Sequence, residues 1–285
     1  MRNARDVVSQ IQSLPTLPQV VQNVVALVDN PDTSSSQLAQ VISSDSGLVS
    51  KILKVVNSAY YGLPRKVSTL TQATVILGFH TIKNLVLTAS VFSIFSKNGH
   101  PERFNRAEFW KHSLGCATAS KVLAKRIRLG LPEEAFIAGL LHDIGKIVLD
   151  QFAHEDFEAV LDYLEANNVP FREAEEAVLG VDHTQIGSWL CDKWNFPLHV
   201  QEVVSFHHTP KLAEVNRKLV SIVHLADAIA RWENLGNGGD RANPEFDPEN
   251  WQILNIPEEE LGEIIQEVIE EYGRAVILLD LFGVN

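Results

Sequence analysis

Histidine and aspartate stand side by side at His142-Asp143, and Lys146 follows four positions after the histidine, at the end of the apolar run Ala138-Gly139-Leu140-Leu141. An ionised carboxylate or imidazolium in apolar surroundings is costly unless it is paired or coordinated. On a helix, adjacent side chains point about 100° apart, so both can reach one point only if it lies between their directions. A metal ion satisfies that condition, and so does a hydrogen bond to a neighbouring helix. Lys146 would then share the face of His142. Taken alone, such a pair is more often a satisfied core pair than a ligand pair. The distribution of the other histidines shifts the balance: of ten, eight lie between His112 and His224, on predicted helix termini and apolar faces. Neutral imidazole and carboxylate are ligands for Zn, Mn, Fe or Ni. Three ligands with an open position would let a metal activate water, and Asp143 could bridge two ions about 3.5–4 Å apart, as in two-metal phosphoesterases.

His112 lies upstream in Trp110-Lys111-His112-Ser113, and Asp227 downstream in Val223-His224-Leu225-Ala226-Asp227. The order His…His-Asp…Asp, each member on a predicted helix, resembles the HD superfamily of metal-dependent phosphohydrolases. Leu14-Pro15-Thr16-Leu17-Pro18, the segment Asn57-Ser58-Ala59-Tyr60, and Asp182-His183 followed by Ile186-Gly187 narrow the resemblance to the HDOD family, the HD-related output domain of bacterial signalling proteins. It covers about residues 14 to 230. The resemblance implies that His112, His142, Asp143 and Asp227 bind one divalent metal ion. By likeness to the related HD-GYP phosphodiesterases, His183, His207 and His208 would complete a second site, and Lys146 would contact substrate phosphate. If the chain is an enzyme, Asp143 and Lys146 are its expected catalytic residues. Two departures weigh against hydrolysis of cyclic-di-GMP: His207-His208 is followed by Thr209-Pro210 with no Glu, and the Gly-Tyr-Pro signature is absent. The acidic pair of ppGpp hydrolases is also missing after His142-Asp143.

The elements that must position these residues read as helices throughout. Pro18 can open a helix from Gln19 to Val28, and Ser34 with Gln37 forms a capping box for the next. Leu48, Ile52, Val55 and Val56 recur at helical spacing. Thr69 with Gln72 opens a helix closed by Gly78, and His80 to Phe95 is strongly apolar. Arg103 to Leu129 carries His112, with Cys116 one turn on, more often a small core residue than a ligand. Pro132 opens the helix expected to carry His142 and Asp143. Glu173, Glu175 and Glu176 read as surface. Asp182-His183-Thr184 caps a helix to Trp194, another ends at Phe206-His207-His208, and residues 214–233 hold His224 and Asp227. Leu235 to Asn250, rich in Gly, Asn, Asp and Pro, reads as a long mobile loop, and Pro257 starts a last helix to Tyr272. The expected fold is all-α, a two-lobed multi-helical bundle like the HD domain.

Charge divides the chain. Residues 1–98 carry a net +4 within a total of −12, and no glutamate precedes Glu102. The change supports a boundary near residues 96–101, giving an N-terminal helical subdomain at 1–98, an HD-like subdomain at 99–235, and a loop with a C-terminal helix at 236–285 packing on the HD-like part. With 45% hydrophobic and 21% charged residues the composition is that of a globular protein. The apolar run Leu85–Phe95 is too short to span a bilayer. Arg2 and Arg5 precede no signal-peptide core, and two cysteines make no disulfide framework. The expected compartment is the cytoplasm, without membrane insertion.

Three classes of function compete. The preferred one is a signalling module that acts through contacts with other signalling proteins and holds one or two divalent ions (Fe, Mn, Zn or Ni). The runner-up is a metal-dependent phosphohydrolase acting on a nucleotide or phosphoester. The third, a DNA-binding regulator using residues 35–58, is disfavoured, because the second helix there offers little beyond Lys51, Lys54 and Asn57.

Overall fold

Helix is the regular structure throughout the computed structural model, which describes residue 14 and residues 16–28, 30–95, 103–130, 132–240 and 248–284; no strand occurs among them. The chain separates into two compact units, one made of Thr16–Lys97 and Gly273–Asn285, the other containing Asn98–Tyr272. The division at Lys97/Asn98 falls among residues 96–102, which lie outside the described ones.

In the smaller unit, α1 (Gln19–Val28), α2 (Ser35–Ile42), α3 (Ser46–Val56), α4 (Leu70–Leu77) and α5 (Phe79–Phe95) pack around Val21, Val24, Leu38, Ile42, Ile52, Val55 and Phe92. Sequence chemistry sets their ends. The Ser34–Gln37 capping box is formed, Asp45 and Thr69 cap α3 and α4, and Gly78 takes φ +86° where α4 gives way to α5. Asn57 closes α3 with its side chain: Nδ2 donates to Leu53 O at 2.7 Å and Val67 O at 2.8 Å, and Oδ1 accepts from Val67 N at 2.8 Å. That amide is therefore committed to holding the α3–α4 connection and is not free to read a base edge. No single helix among the described residues is long and apolar enough to cross a membrane.

The larger unit holds α6 (Arg106–Arg126), α7 (Pro132–Leu141), α8 (Ile144–Phe152), α9 (His154–Asn167), α10 (Phe171–Leu179), α11 (His183–Lys193), α12 (Leu198–Phe206), α13 (Arg217–Trp232), α14 (Pro248–Leu254) and most of α15 (Leu261–Ala275). α6 packs against both α7 and α13, and α11 against α8 and α12. Cys116, Leu123, Ala138, Val220, Val223, Ile264 and Val268 belong to one continuous core. α8 and α11 meet at Gly145, where an added Cβ would lie 2.0 Å from His183 O. Only a residue without a side chain allows the backbone carrying Asp143 to approach His183 this closely.

Three expectations are corrected. The helix opened by Pro132 stops at Leu141; His142 and Asp143 form the corner before α8, so the two side chains are aimed by a turn and not by helical periodicity. Residues 235–240 are packed against other helices and Pro248–Leu254 is helical, so these parts of the stretch are not the long mobile loop expected; its residues 241–247 lie outside the described ones. The C-terminal segment does not stay as a piece with the larger unit. α16 (Ile277–Phe282) packs on α3 and α5, burying Leu278, Leu279 and Phe282, with the Phe92 and Phe282 ring centroids 5.4 Å apart. A six-residue helix has too little hydrogen bonding to persist by itself, so its apolar stripe decides where it docks.

Candidate metal centre

Four separate elements bring His112 (α6), the His142-Asp143 corner, His183 (start of α11) and Asp227 (α13) together, and His207-His208 closes the group from the end of α12. Their polar atoms fall into two sets that share Asp143. On one side, His142 Nε2 lies 3.4 Å and His112 Nε2 3.9 Å from Asp143 Oδ2, while Asp227 Oδ1 lies 3.1 Å from His112 Nε2 and 3.7 Å from His142 Nε2. On the other, Asp143 Oδ1 lies 3.2 Å from His183 Nε2 and 3.5 Å from His207 Nε2, and His183 Nε2 is 3.0 Å from His208 Nε2. One carboxylate thus presents one oxygen to each set. Every residue of the sequence-derived group His112, His142, Asp143, His183, His207, His208 and Asp227 lies within this constellation.

The imidazoles are aimed by bonds from their far nitrogens. His142 Nδ1 donates to Gly139 O at 2.8 Å, and His207 Nδ1 donates to Val204 O at 3.2 Å. A carbonyl can only accept, so Nδ1 of each ring carries a proton and Nε2 turns inward. His207 offers a lone pair there; burial would lower His142, but the groups against it, Asp143 and Asp227 among them, raise it, so its Nε2 offers a lone pair once a metal displaces the second proton. His183 Nδ1 donates to Glu175 Oε2 at 2.5 Å, and the same oxygen accepts the His183 backbone N–H at 3.0 Å. This carboxylate–histidine arrangement orients ligands in metal sites. Asp182 fixes the start of α11 by accepting from Thr184 N and Gln185 N, with Gln185 completing the capping box. His224 Nδ1 donates to His207 O at 2.8 Å and ties α13 to the His207-His208 corner.

Burial opposes charge here, and pairing decides which groups stay charged. Burial would raise Asp143, but Lys146 and His142 hold its carboxyl well below the usual range. Burial would likewise raise Asp227, but His112 and His142 keep it ionised. Burial pushes His207 down to about 4 and, with His207 beside it, His208 well below its ordinary value, so both are neutral near pH 7. His183 goes the other way: Glu175 overrides burial and raises it to about 9. Within the set, His142 Nε2, Asp143 Oδ1 and His207 Nε2 are buried with no hydrogen-bond partner. Buried polar atoms of this kind ordinarily have partners. Three such atoms converging on neighbouring points fit one or two divalent ions, and the donor set of imidazole nitrogen and carboxylate oxygen suits Zn, Mn, Fe or Ni.

Lys146 bonds to Asp143, the neighbour of His142. Its fully buried ammonium donates to Asp143 Oδ2 at 2.8 Å, Asp240 Oδ2 at 2.8 Å and Gly238 O at 3.1 Å, and sits 4.9 Å from the centroid of the Phe171 ring. Cys116 is buried with Sγ toward Val223 O and is not part of either ligand set. Reading the residues in order missed Glu175, Asp240 and His224. Glu175 is wholly buried, not at the surface as expected. A signal for it was present: Phe171, Ala174, Glu175 and Leu179 fall on one helical face, and all four are buried.

Comparison with known proteins adds a family. Residues 14–210 match the HDOD domain. A Geobacter sulfurreducens HDOD domain protein of unknown function superposes with a TM-score of 0.80 at 24% identity, over 98% of this chain and 96% of that one. A presumed phosphohydrolase of Shewanella amazonensis SB2B superposes with a TM-score of 0.75 at 26% identity, over 97% of each chain. An uncharacterized protein of Treponema pallidum (strain Nichols) is 26% identical over 231 residues, covering 80% of this chain and 44% of that protein, so the chain spans less than half the length of this relative.

Proposed function

This chain belongs to the HDOD family, and from that premise we propose that it is a signal-transduction module whose His/Asp centre binds one or two divalent ions chiefly to hold the helical unit together. It would act on other signalling proteins through its helical surfaces. The observation that supports metal binding is the trio of buried, unpartnered atoms His142 Nε2, Asp143 Oδ1 and His207 Nε2. His112, His142, Asp143 and Asp227 would hold one ion, and Asp143, His183, His207 and His208 the other. A bound cation offsets the desolvation of the two carboxylates and, if one coordination position is open, acidifies bound water.

Phosphohydrolysis is the second reading, and the buried ammonium of Lys146 beside the ligands favours it, because an ammonium at this place suits a phosphoryl group. Against turnover, all three hydrogen-bond acceptors of that ammonium come from the protein itself. The deciding experiment measures metal in protein purified without chelator, then screens nucleotides and phosphodiesters with added Mn or Fe. We expect bound metal and no turnover on the order of 1 per second. Turnover at that rate, abolished by Asp143→Asn while the fold survives, would replace this reading with the phosphohydrolase. Metal-free protein that takes up none of the offered ions would end both.

A further inference from the structure

We propose that Gly236–Asp240 is an intramolecular inhibitor of the centre: the Asp240 carboxylate occupies an anion site at Lys146, and a phosphate-bearing small molecule enters only by displacing it. The proposal goes beyond the metal reading and stands on contacts made by this strap.

The anion site is built from two donors. One is the Lys146 ammonium, 2.8 Å from Asp240 Oδ2; the other is the backbone N–H of Phe171, the first residue of α10, which donates to Asp240 Oδ1 at 3.3 Å. A buried lysine facing a helix N-terminus is an arrangement suited to phosphate. Here the chain's own carboxylate fills it. Phosphoryl and carboxylate oxygens compete for the same N–H groups, so occupation is mutually exclusive.

The backbone between the α13 end and Asp240 covers the first ligand set. At Gly238 an added Cβ would lie 2.7 Å from His112 Cδ2, 3.0 Å from His112 Nε2 and 3.3 Å from Asp143 Oδ2; at Gly236 it would lie 2.3 Å from His112 N. Glycine is what lets the main chain lie directly on the ligand ring. The anchoring is uneven. Leu235 N donates to Ala230 O at 2.8 Å and Asn237 N to Glu108 O at 2.9 Å, which hold the near end. Beyond Asn237, three hydrogen bonds among the described residues join the strap to helices; they run to Lys146 and Phe171, two of them through the Asp240 carboxylate. Asp240 is therefore the latch, and a competing anion at Lys146 releases the far end.

The test uses the full chain, with and without Mn, and inorganic phosphate as the probe. By calorimetry, Asp240→Asn should bind phosphate about tenfold or more tightly than the wild type, and adding Lys146→Met should abolish the gain. Equal affinity of wild type and Asp240→Asn, or a gain that survives Lys146→Met, would overturn the proposal. Should Asp240→Asn fail to fold, the wild type decides: phosphate should speed hydrogen exchange at the Gly239 amide relative to chloride at the same ionic strength, and unchanged exchange there refutes the latch. Metal content measured in parallel keeps the two readings apart, since metal retained without phosphate competition leaves the ion-binding role intact.

Discussion

Replacing Asp143 by Asn keeps the volume of the side chain and removes its charge. Asp143 supplies an oxygen to each ligand set, Oδ1 toward His183 and His207 at 3.2 and 3.5 Å, Oδ2 toward His142 at 3.4 Å. Asparagine keeps one acceptor and presents an N–H₂ to the other set, so at least one ion loses its anionic ligand. If metal stands at about a hundredfold excess over Kd, its loss removes about 2.7 kcal/mol. At roughly 2–4 °C per kcal/mol for a unit of this size, the melting point falls by about 5–10 °C. A second contribution is independent of metal. The buried Lys146 ammonium loses one of its two carboxylates and keeps Asp240 at 2.8 Å; that costs roughly 1–3 kcal/mol, below the cost of orphaning a buried charge altogether. Melting curves of wild type and variant, each with and without EDTA, separate the two. EDTA should lower the wild type by about 5–10 °C and leave the variant nearly unchanged, while the two chelated proteins should differ by the metal-independent contribution, the loss of the Asp143 charge beside Lys146, His142 and His183. A variant that keeps the wild-type metal content and the wild-type response to EDTA refutes the bridging role of Asp143.

Three further outcomes are expected. Glu175→Gln should weaken metal binding about 10- to 100-fold with helix content unchanged, read by competition with a chromogenic chelator, because His183 loses the carboxylate that orients it. His183, raised to about 9 in the metal-free fold, contributes stability that is fully present below its unfolded value of about 6.5 and is lost as pH rises through about 9. A metal must displace that proton, so affinity should climb with pH up to about 9, by roughly tenfold per unit, with about one proton released per ion in calorimetry across buffers of different ionisation enthalpy. In the smaller unit, Asn57→Ala should cost about 1–2 kcal/mol in chemical denaturation through its three lost hydrogen bonds, and leave metal content unchanged.

Helix existence and helix ends are local properties, and they could be read from the chain: the Ser34–Gln37 box, the Asp182 cap with Gln185, and Gly78 at the end of α4 are satisfied within a few residues. The ligand types could be read as well, because imidazoles and carboxylates inside apolar runs need partners wherever the chain goes. What the tertiary structure decided was direction and company. The corner at His142-Asp143 depends on Gly145 meeting His183 O, a contact between residues 38 positions apart whose closeness no local pattern reports. The inward turn of Glu175 depends on which face of α10 is covered, so its charge alone pointed to solvent while its burial followed from packing. The strap is the clearest case. Gly, Asn and Asp in series favour turns in any unfolded segment, and the same absence of side chains that makes Gly238 flexible in isolation is what allows it to lie on His112 once α6 and α13 are packed. Sequence specifies the donors and the freedom of the backbone; only the packed helices supply the surface on which that freedom is used up.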